Sequence, residues 1–183
     1  REATALGVHV HLPTAGRDAI ATTVELLRAA AGEGGEFLSW APAELPVDPG
    51  EFEDALRAAG LRPVLPDLPP EADERRAALA ELGQAGAGLT GALAGLADTG
   101  SLALVSGPGR ARLASLLPPV HVALLRAGAL YLTMAAFFAA HPEAITAGAN
   151  LVFISGPSRT ADIEMTLTIG VHGPREVHVV LVE

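Results

Sequence analysis

The densest run of chemically capable side chains is Ser155-Gly-Pro-Ser-Arg-Thr-Ala-Asp-Ile-Glu164. Ser158, Arg159 and Thr160 offer two hydroxyls and a guanidinium, donors that suit a carboxylate or a phosphate. Reading Thr160–Ile169 as a helix puts these donors at a helix start, where free amides and the helix dipole attract anions. Asp162 and Glu164 put negative charge on the same first turn. They stabilise the dipole but oppose an anion unless Arg159 or Arg175 pairs with them. Residues two apart on a helix point about 200° apart, so these acids do not form a dyad on one face. An anion cradle and a capped helix with a structural ion pair are both open readings of these residues.

Three other motifs carry polar groups. Val171-His-Gly-Pro-Arg175 places His172 and Arg175 just before the last strand, either converging with the Arg159 loop or forming an ordinary Gly-Pro turn. Asp98-Thr99-Gly100-Ser101 reads as an Asx-type turn beside a strand. His9 and His11 share one face of a strand because side chains alternate with period two. Such a pair lacks the third ligand a metal site needs, so a polar strand face is the stronger reading. Gly86-Ala-Gly88-Leu-Thr-Gly91 matches the GxGxxG spacing. It follows a polar helix, not a strand, and no acid lies between Asp98 and Glu143. A Gly-rich strand approached closely by another backbone therefore fits better than a dinucleotide loop.

The elements that must hold these groups alternate. Leu6–Leu12 reads as a strand, Arg17–Ala31 as a helix, Glu36–Trp40 as a strand and Glu51–Ala59 as a helix closed by Gly60. Arg62–Leu65 is a strand and Glu71–Leu82 a charged helix. Strands follow at Ser101–Ser106, His121–Arg126, Asn150–Ser155 and Glu176–Val182, with a helix at Leu130–Ala140. This order predicts an α/β layer fold. No internal repeat and no long linker divides residues 1–183, which read as one domain.

Composition removes several chemistries. The 183 residues contain no lysine, which excludes a Schiff-base enzyme and a Walker A loop. They contain no cysteine, which excludes disulfides, a thiolate nucleophile and a cysteine-held iron–sulfur cluster. A net charge of −9 argues against a nucleic-acid partner. Half the residues are hydrophobic, yet Leu82–Ala97 and Ala127–Pro142, the longest uncharged runs, fall short of a membrane span. The first residue is Arg, so the numbering is expected to begin inside a longer protein, and a cytoplasmic location is compatible with the missing cysteine.

Two blocks carry a family resemblance. Ser155–Glu183 (SGPSRTADIEMTLTIGVHGPREVHVVLVE) resembles the C-terminal signature of the lactate utilisation protein C family, whose members are single LUD domains. Ala87–Leu125, with its Asp-Thr-Gly and Leu-Pro-Pro-x-His, resembles the upstream block of that domain. The resemblance covers about the C-terminal half and implies a helical segment ahead of residue 1. It implies a fold similar to the NagB/RpiA/CoA-transferase-like proteins: three α/β/α layers on a mostly parallel central sheet. It also implies a cluster-free subunit that oxidises L-lactate to pyruvate together with iron–sulfur partner proteins, and no cofactor in this chain. The positions it marks are Asp98, Thr99, Gly100, Pro119, His121, Gly156, Pro157, Ser158, Arg159, Thr160, Asp162, Glu164, His172, Gly173, Pro174 and Arg175. Among these the candidate contacts for a small carboxylate are Asp98, Thr99, Ser158, Arg159, Thr160, Asp162, Glu164, His172 and Arg175, with no metal ligand and no assigned catalytic residue. The alternatives are a stand-alone enzyme or binding protein for a small anion, such as a CoA thioester or sugar phosphate, and a ligand-free scaffold.

Overall fold

The computed structural model describes residues 1–12, 16–31, 34–161 and 167–183. Six strands form a fully parallel sheet: β1 (Val8–His11), β2 (Glu36–Ser39), β3 (Arg62–Val64), β4 (Ala87–Ala92), β7 (Val120–Arg126) and β12 (Glu176–Val182), in the order β1-β12-β7-β4-β2-β3. Helices flank it, as the alternating sequence pattern requires. The central strands are apolar on both faces because both faces are covered; Leu89, Val122, Ala123, Leu124, Val177 and Val180 are all buried.

After a short first helix, α1 (Glu2–Ala5), helix α2 (Gly16–Ala31) crosses one face, touching β12, β7, β4 and β2 on its way from the β1 edge to β2. Its Ala19, Ile20, Thr23 and Leu27 form the buried stripe. The Thr23 hydroxyl donates to the Ala19 carbonyl at 2.7 Å, so its burial leaves no unpaired donor. Helix α3 (Pro49–Ala58) begins where the Asp48 carboxylate accepts from the Glu51 amide at 2.9 Å, with Pro49 in the first turn. Phe52 and Leu56, four apart, anchor it, and Gly60 at φ +70° ends it. Helix α4 (Ala72–Leu82) buries no residue, as its charged sequence suggests.

A second, four-stranded sheet orders β5 (Ala94–Leu96), β6 (Ser101–Ser106), β8 (Leu130–Tyr131) and β9 (Asn150–Ile154) as β8-β5-β6-β9. Alternation along β6 sends Leu102 and Leu104 into the main core and Ala103 into a separate cluster around Phe137. Phe137 belongs to α5 (Met134–Ala140), which starts at a Thr133 cap bonded to the Ala136 amide. The helix expected over Leu130–Ala140 is thus shorter. Its first residues pair with β5 instead, and an all-apolar run carries no period to separate the two.

The Gly-rich segment is the strand β4, as the close-approach reading predicts. An ideal Cβ on Gly88 would lie 1.8 Å from the Ala114 carbonyl oxygen, and one on Gly86 2.1 Å from the Ala30 carbonyl oxygen. No helix among the described residues is long and apolar enough to cross a membrane.

Candidate functional site

The C-terminal motif does not open a helix. Arg159–Ala161 (β10) pairs antiparallel with Leu167–Ile169 (β11), replacing the helix expected over Thr160–Ile169. The β-branched Thr160, Thr168 and Ile169 favour that extended backbone. The helix-start argument for an anion cradle falls with the helix. Asp162 and Glu164 lie outside the described residues, and Thr160 is placed only by its pairing with Thr168.

Backbone bonds gather the rest of the motif at the amino edge of the parallel sheet. The Ser158 amide donates to the Pro174 carbonyl at 2.8 Å, the Gly170 amide to the Ser158 carbonyl at 2.9 Å, and the Arg175 amide to the Pro119 carbonyl at 2.8 Å. The Arg159 guanidinium donates to the Leu6 carbonyl at 2.5 Å, just ahead of β1. His172 and Arg175 line a cleft of about 560 Å³ with Gly86 and Pro119, at the amino ends of β4, β7 and β12. Ser158, Arg159, His172 and Arg175 are therefore neighbours, but at the end of the sheet opposite to the one where open α/β sheets usually bind ligands.

The Asp98 turn joins this region through hydroxyls. Ser101 Oγ donates to Thr99 Oγ1 at 2.9 Å and lies 2.7 Å from Ser155 Oγ. Gly100, at φ +64°, packs so close to Glu2 and Ala3 that a Cβ would strike their backbone. Asp98 itself is exposed, and its amide donates to the Leu132 carbonyl.

His121 is completely buried in β7, between Gly88 of β4 and Val177 of β12. Its Nε2 lies 2.9 Å from Thr90 Oγ1, while Nδ1 has no partner among the described residues. Burial, helped by the nearby His178, drives its pKa from 6.5 to about 4, so it is a neutral imidazole.

His9, His11 and His178 form a stack on the β1–β12 edge. Ring centroids lie 4.8 Å apart for His9 and His178 and 5.3 Å for His11 and His178. His178 uses both nitrogens: Nδ1 is 3.1 Å from His11 Nε2, and Nε2 is 3.6 Å from a Glu176 carboxylate oxygen. The rings meet face to face, without converging on a common point. Among the described residues no group of three His, Cys, Asp or Glu side chains is arranged to hold a metal.

A second polar crevice went unread in the sequence. Trp40, Glu44, Arg110, Arg126 and Glu143 line about 350 Å³ outside the carboxyl ends of β2, β4 and β7. The readable signal was a repeated word: Ser106-Gly-Pro-Gly-Arg110 echoes Ser155-Gly-Pro-Ser-Arg159.

Residues 1–182 match the family model of the LUD domain. The chain belongs to this family. An uncharacterised protein of Neisseria meningitidis is 43% identical over 94 residues, half of this chain and 40% of that protein. A Lactate utilization protein C of Halalkalibacterium halodurans is 41% identical over 106 residues, 55% of this chain and 45% of that protein. The protein of the same name in Bacillus subtilis is 32% identical over 79% of this chain and 63% of its own length. This LUD domain thus spans about half the length of these curated relatives. A crystal structure of a DUF162 family protein from Deinococcus radiodurans superposes with a TM-score of 0.64, covering 100% of this chain and 92% of that one at 23% identity, and so supports the fold.

Proposed function

We propose that this LUD domain serves bacterial L-lactate oxidation as a cluster-free component that works in the cytoplasm with iron–sulfur partner proteins. The observation that carries the proposal is the agreement of several relatives, 32–41% identical, on the name Lactate utilization protein C. The missing cysteine fits this division of labour, since these 183 residues offer no thiolate to hold an iron–sulfur cluster. A small carboxylate is the proposed ligand of the amino-edge cluster. His172 and Arg175 line one cleft there, and Ser158 is held beside them by its bonds to Pro174 and Gly170.

Growth decides the role. Deleting the gene in its host, with no paralogue present, is expected to abolish growth on L-lactate and spare growth on glucose. Normal growth on L-lactate would overturn the proposal. In the same assay Arg175→Gln is expected to slow growth on lactate without lowering the amount of folded protein.

A further inference from the structure

The order of the parallel strands points to the crevice beside Trp40. Strand β2 sends its chain outward to β3, whereas its neighbour β4 sends its chain through β5 and β6 of the second sheet and back on the other side, as β7. Adjacent strands whose connections diverge leave a gap outside their carboxyl ends, and this is where open α/β sheets bind ligands. The crevice lies in that gap: Trp40 and Glu44 follow β2, Gly91 and Ala92 end β4, and Arg126 ends β7.

The loop after β6 is fixed across it. The Ala41 amide donates to the Gly109 carbonyl at 2.7 Å, and the Trp40 indole donates to the Ala111 carbonyl at 3.1 Å. Gly107 and Arg110 close the loop with paired backbone bonds of 3.1 and 2.8 Å. Arg110 is thereby held in the lining with its Nε buried and without a hydrogen-bond acceptor; the nearest carboxylate, that of Glu44, is 3.7 Å away. The Arg110 Nη2 makes only a long, 3.5 Å bond to the Ala147 carbonyl, so the guanidinium in the crevice lining keeps donor capacity for an anion. Arg126 supplies the second guanidinium and has no ion-pair partner among the described residues.

We infer that this crevice binds a small molecule bearing an oxyanion, carboxylate or phosphate, through Arg110 and Arg126. Leu45, Pro46 and Trp40 offer an apolar wall for the rest of the molecule, and Glu44 can accept from a hydroxyl on it. The site stands apart from the amino-edge cluster, and its test is read separately from growth on lactate.

Trp40 is the only tryptophan and lines the crevice, so its emission reports on this site. The full chain is titrated with L-lactate, pyruvate and inorganic phosphate, following Trp40 emission and the Arg110 Nε–H resonance. At least one probe is expected to move both saturably. Arg110→Gln and Arg126→Gln should each weaken binding roughly tenfold, the size of one lost charge-assisted bond. Arg159→Gln and Arg175→Gln should leave the Trp40 response unchanged. Glu143→Gln, an exposed change that threatens no core contact, should tighten binding by removing a repelling carboxylate. The proposal is overturned if no probe moves either signal, if the response survives Arg126→Gln, or if it is lost in Arg175→Gln instead.

Discussion

Thr90 Oγ1 lies 2.9 Å from Nε2 of His121, across two neighbouring strands at the centre of the parallel sheet. Both side chains are completely buried. The imidazole is neutral there because burial lowers its pKa to about 4. The unfolded chain binds a proton near 6.5 that the folded chain refuses, so stability rises with pH across that interval. The contribution is complete above about pH 6.5 and is lost as pH falls toward 4, a loss on the order of 3 kcal/mol. Urea unfolding at several pH values should show this slope, and His121→Gln should flatten it. If that variant does not fold, the His121 ring resonance of the native chain gives the same answer. Titration near 6.5 would defeat the prediction.

The stacked histidines of β1 and β12 should respond in the same direction but locally. Burial first, then the neighbouring imidazoles, holds His11 and His178 below their ordinary value; for His178 the Glu176 carboxylate works against this. Below about pH 6.5 protonation places like charges in face-to-face rings. Amide protection factors in Val8–His11 are expected to fall between pH 7.5 and pH 5 by more than those of Leu89–Gly91, whose smaller decline follows the loss of overall stability set by His121. His178→Gln should remove most of that difference.

Gly88→Ala should be among the most damaging single substitutions in the sheet. The new methyl would meet the Ala114 carbonyl at 1.8 Å, and a backbone atom cannot rotate away. Overpacking of this kind costs about 3 kcal/mol. Gly128→Ala has open space around it and should change stability by less than about 0.5 kcal/mol. Equal melting temperatures for the two variants would remove the packing explanation for the Gly-rich strand.

Phe137→Ala tests the second core. Phe137 is fully buried and contacts Tyr131, Phe138 and Phe153 at centroid distances of 5.9, 5.1 and 5.8 Å. Truncation should cost about 3–5 kcal/mol. Because that cluster is separate from the one around Leu89 and Val122, the parallel sheet should keep more of its amide protection than β5 and β8 do.

Much of the fold could be read locally. Ser101–Ser106 and Glu176–Val182 emerge as strands with the bounds the apolar pattern gives, and Gly60 ends α3 as its position suggests. These features depend on side-chain period and turn chemistry, both properties of short windows. The paired strands at Arg159–Ala161 and Leu167–Ile169 were not readable, because Asp162 and Glu164 imitate the acidic first turn of a helix. Strand order was hidden as well. Which end of the sheet receives a loop depends on pairings as distant as Val8 with Val177, and no local window contains them. The motif around Ser158 and Arg175 gathers at the amino edge, a position its own residues do not encode. Arg110 follows a Gly-Pro-Gly turn and Arg126 closes an apolar strand, and only the tertiary fold brings the two into one crevice.

The position of β12 has a consequence for synthesis. It lies between β1 and β7, and β1 meets the sheet only through it. Strand β1 must wait for nearly all of residues 1–183 before its neighbour exists. Until then Val8 and Val10 stay on an unpaired segment, and the half-built sheet exposes the β7 edge, a surface that invites strand exchange between nascent chains. Folding of this sheet is therefore committed late, when β12 threads into the gap and joins β1 to β7 in one step.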